Sequence, residues 1–312
     1  MRALRVVVAA VALCIAAPAL AHAGHEHDAP GWTWDAWIAV PTALSLILYT
    51  IGWRRLRARS QRGRVRLDRA AASFGLGWLA LVAALVSPLH EAGERSFTMH
   101  MIEHEMLMIV AAPLLVLGRP MAMMLWAFPG GGRRVLGNVA QALAVPFAQA
   151  TGCVTATVIQ AAALWLWHAP ALFDRALASE SWHAVQHLSF VISALLFWTA
   201  MLGRGRGQGL GLARERAGTA SHSSGATAAL CLFATSIVTG ALGALMAVSA
   251  SPWYAGYARL GMAPFGLSPV EDQQLAGAIM WVPGGVVHAV AALVLVRALL
   301  RGGETRRTAD AL

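Results

Sequence analysis

Lysine is absent from this chain of 312 residues, and charge of either sign is scarce. The 24 basic side chains are therefore all arginine, set against 15 acids. Charged residues make up 12% of the sequence, about half the share usual in soluble domains. That leaves too little polar surface for a soluble globular protein. Cysteine is nearly missing as well, with three residues. A disulfide-built fold and a cysteine-rich metal centre are both excluded, and Cys153 and Cys231 read as small buried apolar residues. What is present is apolar: hydrophobic residues account for 58% of the chain. These proportions point to a polytopic membrane protein.

Apolar runs of the length a ~30 Å hydrocarbon core requires lie near 35–53, 70–88, 99–117, 151–168, 183–202, 226–249 and 273–300. The expected fold is all-α, a membrane helical bundle of about seven transmembrane helices. Residues 1–23 read as a cleaved signal peptide. Arg2 and Arg5 precede an apolar stretch from Val6 to Ala17, and Ala21-His22-Ala23 fits a small-x-small cleavage site. Residues 24–33 would then form a polar external tail carrying His25 and His27, residues 34–302 the transmembrane domain, and residues 303–312 a cytoplasmic tail.

Arginine sets the orientation. Eight arginines lie between Arg54 and Arg69, with further groups at Arg133-Arg134, at Arg204 to Arg216 and at Arg297 to Arg307. The intervening loops hold only Arg95, Arg175 and Arg259, and most of the acids. The positive-inside rule places the N-terminus outside and the C-terminus in the cytoplasm. This also accounts for the net charge of +9. The arginines are topology determinants and anionic-lipid contacts, and a nucleic-acid partner is not implied. Between the third and fourth helices a break at Pro129-Gly130-Gly131-Gly132 precedes an amphipathic run, Val135–Phe147, suited to the interface. Trp253, Tyr254 and Tyr257, on the longest outer loop, suit the headgroup zone.

Histidine is concentrated on the outer side. His100/His104 and His183/His187 are i,i+4 pairs opening the third and fifth apolar segments, so each pair lies on one face of its helix at matched depth. Polar groups at a bilayer boundary are costly unless they face the bundle interior with a partner or a task. A metal or another cofactor is the expectation for these two pairs. Imidazole is the commonest transition-metal ligand, and its second nitrogen needs an acceptor; Glu103, Glu105 and Asp272 stand near on the same side. Met99, Met101, Met106 and Met108 flank the first pair, and thioether with imidazole suits copper, Cu(I) above all. His90 and His222 need only an interfacial or capping role, which would also serve for His168. Two histidines in a tail, His25 and His27, form a weak metal-collecting signal. His288 lies midway along the last helix with no obvious mate. Haem ligated by histidines of neighbouring helices is the alternative cofactor. A copper or proton transporter is the other alternative, although the inner halves of these helices are mostly Ala, Leu, Val and Gly. No His-Glu-x-x-His core is present, which argues against an intramembrane metalloprotease.

Three segments carry a family resemblance. His100-Met101-Ile102-Glu103-His104, followed by Ala112-Pro113-Leu114-Leu115-Val116-Leu117-Gly118-Arg119-Pro120, resembles the third-helix motif of the CtaG proteins. Trp167-His168-Ala169-Pro170, with Phe173, Ala176, His183 and His187, resembles a second motif. Asp272-Gln273-Gln274, with Met280-Trp281 and Pro283-Gly284-Gly285, resembles the last. These proteins are the caa3-associated cytochrome c oxidase assembly factors, distinct from the single-span copper chaperones sharing the name. The resemblance extends from about residue 70 to about residue 300. It implies a non-enzymatic, multi-pass protein of the bacterial inner (plasma) membrane that aids copper insertion into a haem-copper oxidase. On that resemblance His100, His104, His168, His183 and His187 are candidate copper ligands, with Glu103, Asp272 and Met101 as outer partners or further ligands. The implied partners are an oxidase subunit, other copper chaperones and the lipid bilayer.

Overall fold

In the computed structural model the described residues are 31–203 and 225–310. The signal peptide and most of the tail, with Cys14, His25, His27 and His222, lie outside them. Thirteen α-helical elements organise the described residues: α1 Ala36–Arg59, α2 Arg64–Leu85, α3 Pro88–Arg95, α4 Phe97–Leu117, α5 Pro120–Leu125, α6 Gly130–Ala142, α7 Ala144–Ala150, α8 Cys153–Trp167, α9 Pro170–Leu177, α10 Glu180–Leu202, α11 Gly225–Val248, α12 Ala255–Leu260 and α13 Pro269–Asp310. No strand occurs among them. Only one isolated bridge, Ala263 with Leu267, interrupts the helical pattern.

Among the described residues six helices are long and apolar enough to cross a membrane: α1, α2, α4, α10, α11 and the Pro269–Ala298 part of α13. Taken together as one bent span, α7 and α8, which meet at 69°, bring the number of candidate crossings to seven. Alone, the 15 residues of α8 extend about 22 Å, short of a bilayer core. Six of the seven apolar runs thus correspond to long helices, and the run near 151–168 corresponds to the shorter α8. Hydropathy locates the apolar middle of a helix and misses its interfacial turns. Hence α2 already starts at Arg64, α13 starts at Pro269, and α13 continues as helix to Asp310, through the stretch expected as a tail.

Local signals set the starts of α3 and α4. Ser87 caps α3, its Oγ accepting the Leu89 N–H at 3.3 Å, with Pro88 in the first turn. Ser96 caps α4 and accepts from Met99 N at 3.4 Å. Immediately after Glu105, α4 passes through a π-helical turn, Met106–Ala111, before resuming at Ala112. Such turns occur often at functional sites.

The core lies among α4, α8, α10, α11 and α13, where Phe97, Phe173, Phe190, Phe197, Leu232 and Met246 are all buried. Cys153 and Cys231 lie within it and are not joined in a disulfide. Helices α1 and α2 form a flank sealed by Tyr49 stacked on Phe74 at 3.7 Å, with Tyr49 Oη donating to Gly118 O at 2.7 Å. Outward-facing Ile47, Leu76, Leu79, Val286, Val290 and Leu293 are exposed. A contiguous apolar exterior of this kind faces lipid. The amphipathic run becomes α6 and α7, neither of which buries a residue.

Candidate metal centre

Four elements bring six imidazoles together. His100 and His104 come from the first turns of α4, His183 and His187 from α10, His168 from the end of α8, and His90 from α3. The i,i+4 spacing stacks each pair along one helix face, with ring centroids 4.2 Å apart for His100/His104 and 4.3 Å for His183/His187. The pairs then meet across the helix interface. His100 lies 5.2 Å from His183, and His104 lies 5.1 Å from His187. His168 approaches His104 at 6.3 Å. All five sequence-predicted histidines therefore converge on one place.

His90 joins them, stacked on His183 at 5.3 Å and 5.7 Å from His187. The expectation that a helix-end histidine here is merely interfacial does not hold. Its Nδ1 hydrogen-bonds Glu103 Oε1 at 2.8 Å, deep in the protein. Burial works against a charge on His90, but this bond and the neighbouring carboxylates outweigh it and raise its pKa above the ordinary imidazole value. Glu103 is wholly buried, and its Oε1 is also 3.5 Å from His187 Nδ1. The carboxylate thus bonds His90, in the way outer acceptors fix the tautomer of metal-bound histidine, and lies near His187 without bonding it.

Many of the donor atoms have nothing to bind. Both ring nitrogens of His100, His104 and His187 are buried without a hydrogen-bond partner, as are Nε2 of His168 and His183 and Oε2 of Glu103. Leaving a buried polar group unsatisfied costs about 1–3 kcal/mol, so so many at one point call for an occupant. His168 is prepared for one: its Nδ1 donates to Leu164 O at 2.7 Å, leaving Nε2 as the lone-pair nitrogen. Burial lowers its pKa to about 4 against the opposing effect of that bond, which keeps the ring neutral at physiological pH.

Two sets of three donors lie close enough to hold one ion: His100, His104 and His187, and His90, Glu103 and His187, with the donor atoms of each set within 4.8 Å of one another. Ligands bound at about 2.0–2.1 Å stand about 3.3–3.6 Å apart. The donors need only draw in slightly, so the residues present fit a transition metal.

The remaining sequence-predicted residues sit around this cluster. Asp272 is on α13, and its carboxylate accepts from Ser96 Oγ at 2.9 Å, Phe97 N at 2.7 Å and Thr98 N at 3.2 Å. It holds the start of α4, the helix that carries His100. Met101 is packed in the apolar core with Phe97 and Phe173. Gly93 of α3 stands close to α4, where a Cβ would meet His100 Cα at 3.3 Å and Glu103 Oε2 at 3.4 Å. Tyr254 and Tyr257, expected among headgroups, are buried and brace the cluster instead. Tyr254 Oη donates to His168 O at 3.0 Å, and Tyr257 Oη to Gly93 O at 2.6 Å. Gln186, buried beside His100 but outside hydrogen-bonding geometry, is a further polar neighbour that sequence reasoning missed. A polar residue at i−1 from His187 was the one available signal.

Phe173 and Phe190 line the cluster at 5.2 Å from His100 and 4.7 Å from His104. A multi-pass helical membrane protein with a shielded histidine cluster near one end of its bundle is the class that fold and site define. Within that class, the chain belongs to the cytochrome c oxidase caa3 assembly factor family (Caa3_CtaG), whose model matches residues 47–302. That range contains every helix of the cluster. The chain is also similar to uncharacterised proteins of Mycobacterium bovis and Mycobacterium tuberculosis. Each is 27% identical over 263 residues, covering 80% of this chain and 36% of the relative. The chain thus spans well under half the length of these curated relatives. No solved structure matches it.

Proposed function

We propose that this protein binds copper, as Cu(I), at the histidine cluster on the outer membrane face and passes it to a subunit of a haem-copper oxidase. In this reading it is an assembly factor and not an enzyme, with its N-terminus outside, its C-terminus in the cytoplasm and its leader removed. Copper is the cargo. The observation that carries the reading is the convergence of buried, unpartnered imidazole nitrogens from α4 and α10 within 4.8 Å of one another. An all-imidazole set suits copper better than magnesium or calcium, and the family supplies the client. His100, His104 and His187 would hold the ion, while Glu103 orients His90, and His168 and His183 complete the shell. Haem is less well supported, because imidazoles in mutual ring contact leave no slot for a macrocycle between them.

Metal analysis with X-ray absorption on the anaerobically purified protein tests this. The expected result is stoichiometric copper with nitrogen neighbours, lost when His100 and His104 are both replaced by alanine. Full copper content in that double variant overturns the site.

A further inference from the structure

The imidazoles do not surround a single point. Two three-donor sets overlap, and His187 belongs to both. Its ring lies 5.7 Å from His90, 5.9 Å from His100 and 5.1 Å from His104, so it reaches either set with little movement. The sets differ in chemistry. The set containing His90 includes the Glu103 carboxylate, whereas the other offers three neutral imidazoles. Both are buried, with His90 the least so at 8% against 1% for His100 and His104. His90 comes from the short helix α3, outside the membrane spans, and stacks on the half-buried His183. His104 lies a turn further along α4 than His100, walled by Phe190 and His168.

We propose that the cluster is a two-position site: Cu(I) is captured by His90, Glu103 and His187, then transferred to His100, His104 and His187, with His187 bound throughout. This rests on the copper reading above and adds to it an order of events and a role for His90. The carboxylate draws the cation in, but it is a hard donor that Cu(I) holds weakly compared with imidazole. Movement to the all-imidazole position is therefore downhill. Bonds to His90 and Glu103 break as bonds to His100 and His104 form. No electron moves; the proton that His90 gives up to water on capture returns as the ion leaves, and Glu103 resumes its hydrogen bond to His90 Nδ1. Sharing one ligand between adjacent positions keeps the ion bound at every stage, so it passes inward without being released to water.

The test uses the full-length protein in detergent micelles under anaerobic conditions, with Cu(I) supplied and competed by a chromophoric Cu(I) chelator. Glu103→Gln is expected to slow capture about tenfold or more through lost electrostatic guidance, and His90→Ala to slow it through loss of a capture ligand, each lowering retention less than it lowers capture. His104→Ala should capture at the ordinary rate yet retain Cu(I) at least about tenfold more weakly, the lower bound for losing even an outer partner. His187→Ala should lose both. Unchanged capture in both outer variants, or parallel loss of capture and retention in all of them, overturns the two positions. Should the outer variants misfold, substoichiometric Ag(I) added to the unmodified protein decides through its histidine ¹⁵N resonances. Shifts at His90 as well as His100 and His104 support exchange between positions, and shifts confined to one set overturn it. An unmodified protein that takes up no Cu(I) removes the copper reading itself, and this inference with it.

Discussion

Asp272 shows how one carboxylate can govern the site without touching it. Its three accepted bonds fall on the first residues of α4, and Thr98 Oγ1 returns a bond to Asp272 O at 3.0 Å. A negative group at a helix N-terminus satisfies orphan amides and complements the helix dipole. His100 follows within a turn, so Asp272 fixes where the imidazole pairs begin. Asp272→Ala should destabilise the protein by about 1–3 kcal/mol and weaken copper retention, while Asp272→Asn, which keeps one acceptor, should do less of both. Thermal unfolding followed by helicity, alongside chelator competition, measures the two effects. At this scale the paired histidines were legible because i,i+4 spacing is a local property. His90 was not: its role depends on Glu103, thirteen positions away, and on how α3 packs against α4. The same holds for Tyr254 and Tyr257, whose acceptors at His168 and Gly93 lie in distant segments. Composition placed them in the headgroup zone because aromatic rings with a polar tip suit both environments.

Among elements, α11 and α13 pack with their backbones in close approach. A Cβ on Gly277 would stand 2.5 Å from Gly243 O, and one on Gly243 would stand 2.7 Å from Gly277 O. In lipid, helices associate through such small-residue contacts because no hydrophobic gain is available between them. Asp272 lies little more than a turn before Gly277, so this contact also sets the position of the α4 brace. Gly277→Leu should therefore cost at least the roughly 1–3 kcal/mol typical of overpacking. It should also lower the midpoint of denaturant or thermal unfolding in micelles. An unchanged midpoint would mean the two helices part without loss. The π-helical turn of α4 belongs at this scale as well. Within it, Met108 O accepts the Trp198 indole N–H at 2.8 Å, tying α4 to α10 below the histidines. The apolar runs made the long helices readable, since each needs only its own composition. Neither the π turn nor the 69° bend between α7 and α8 was readable. The π turn is held by the Trp198 bond from α10, and the bend falls at Thr151-Gly152, where the apolar run begins but hydropathy carries no angle.

Over the whole molecule the polar groups are unevenly arranged along the bundle. The imidazole cluster occupies the end shared by α3, α9 and α12, whereas Arg55 and Arg133 meet Trp126 and Ala127 at the other end. Farther along the bundle, Glu105 and His288 are also buried, with Glu105 Oε2 and His288 Nε2 unpartnered. His288 Nδ1 is bonded to Gly284 O at 2.7 Å, and its ring stacks on Trp198 at 5.7 Å. These two residues are what a transporter would use. They are flanked, however, by Phe197, Trp198, Met201 and Leu232 of the apolar core. A bare cation crossing such a lining loses its hydration with little in return. The arrangement favours a site loaded and emptied from one face. In proteoliposomes of sorted orientation, a membrane-impermeant Cu(I) chelator should strip copper only when the histidine end faces the chelator, and no copper should accumulate in the lumen above protein-free vesicles. Stripping from both orientations, or luminal accumulation abolished by Glu105→Gln, would replace a one-sided copper donor with a copper conduit.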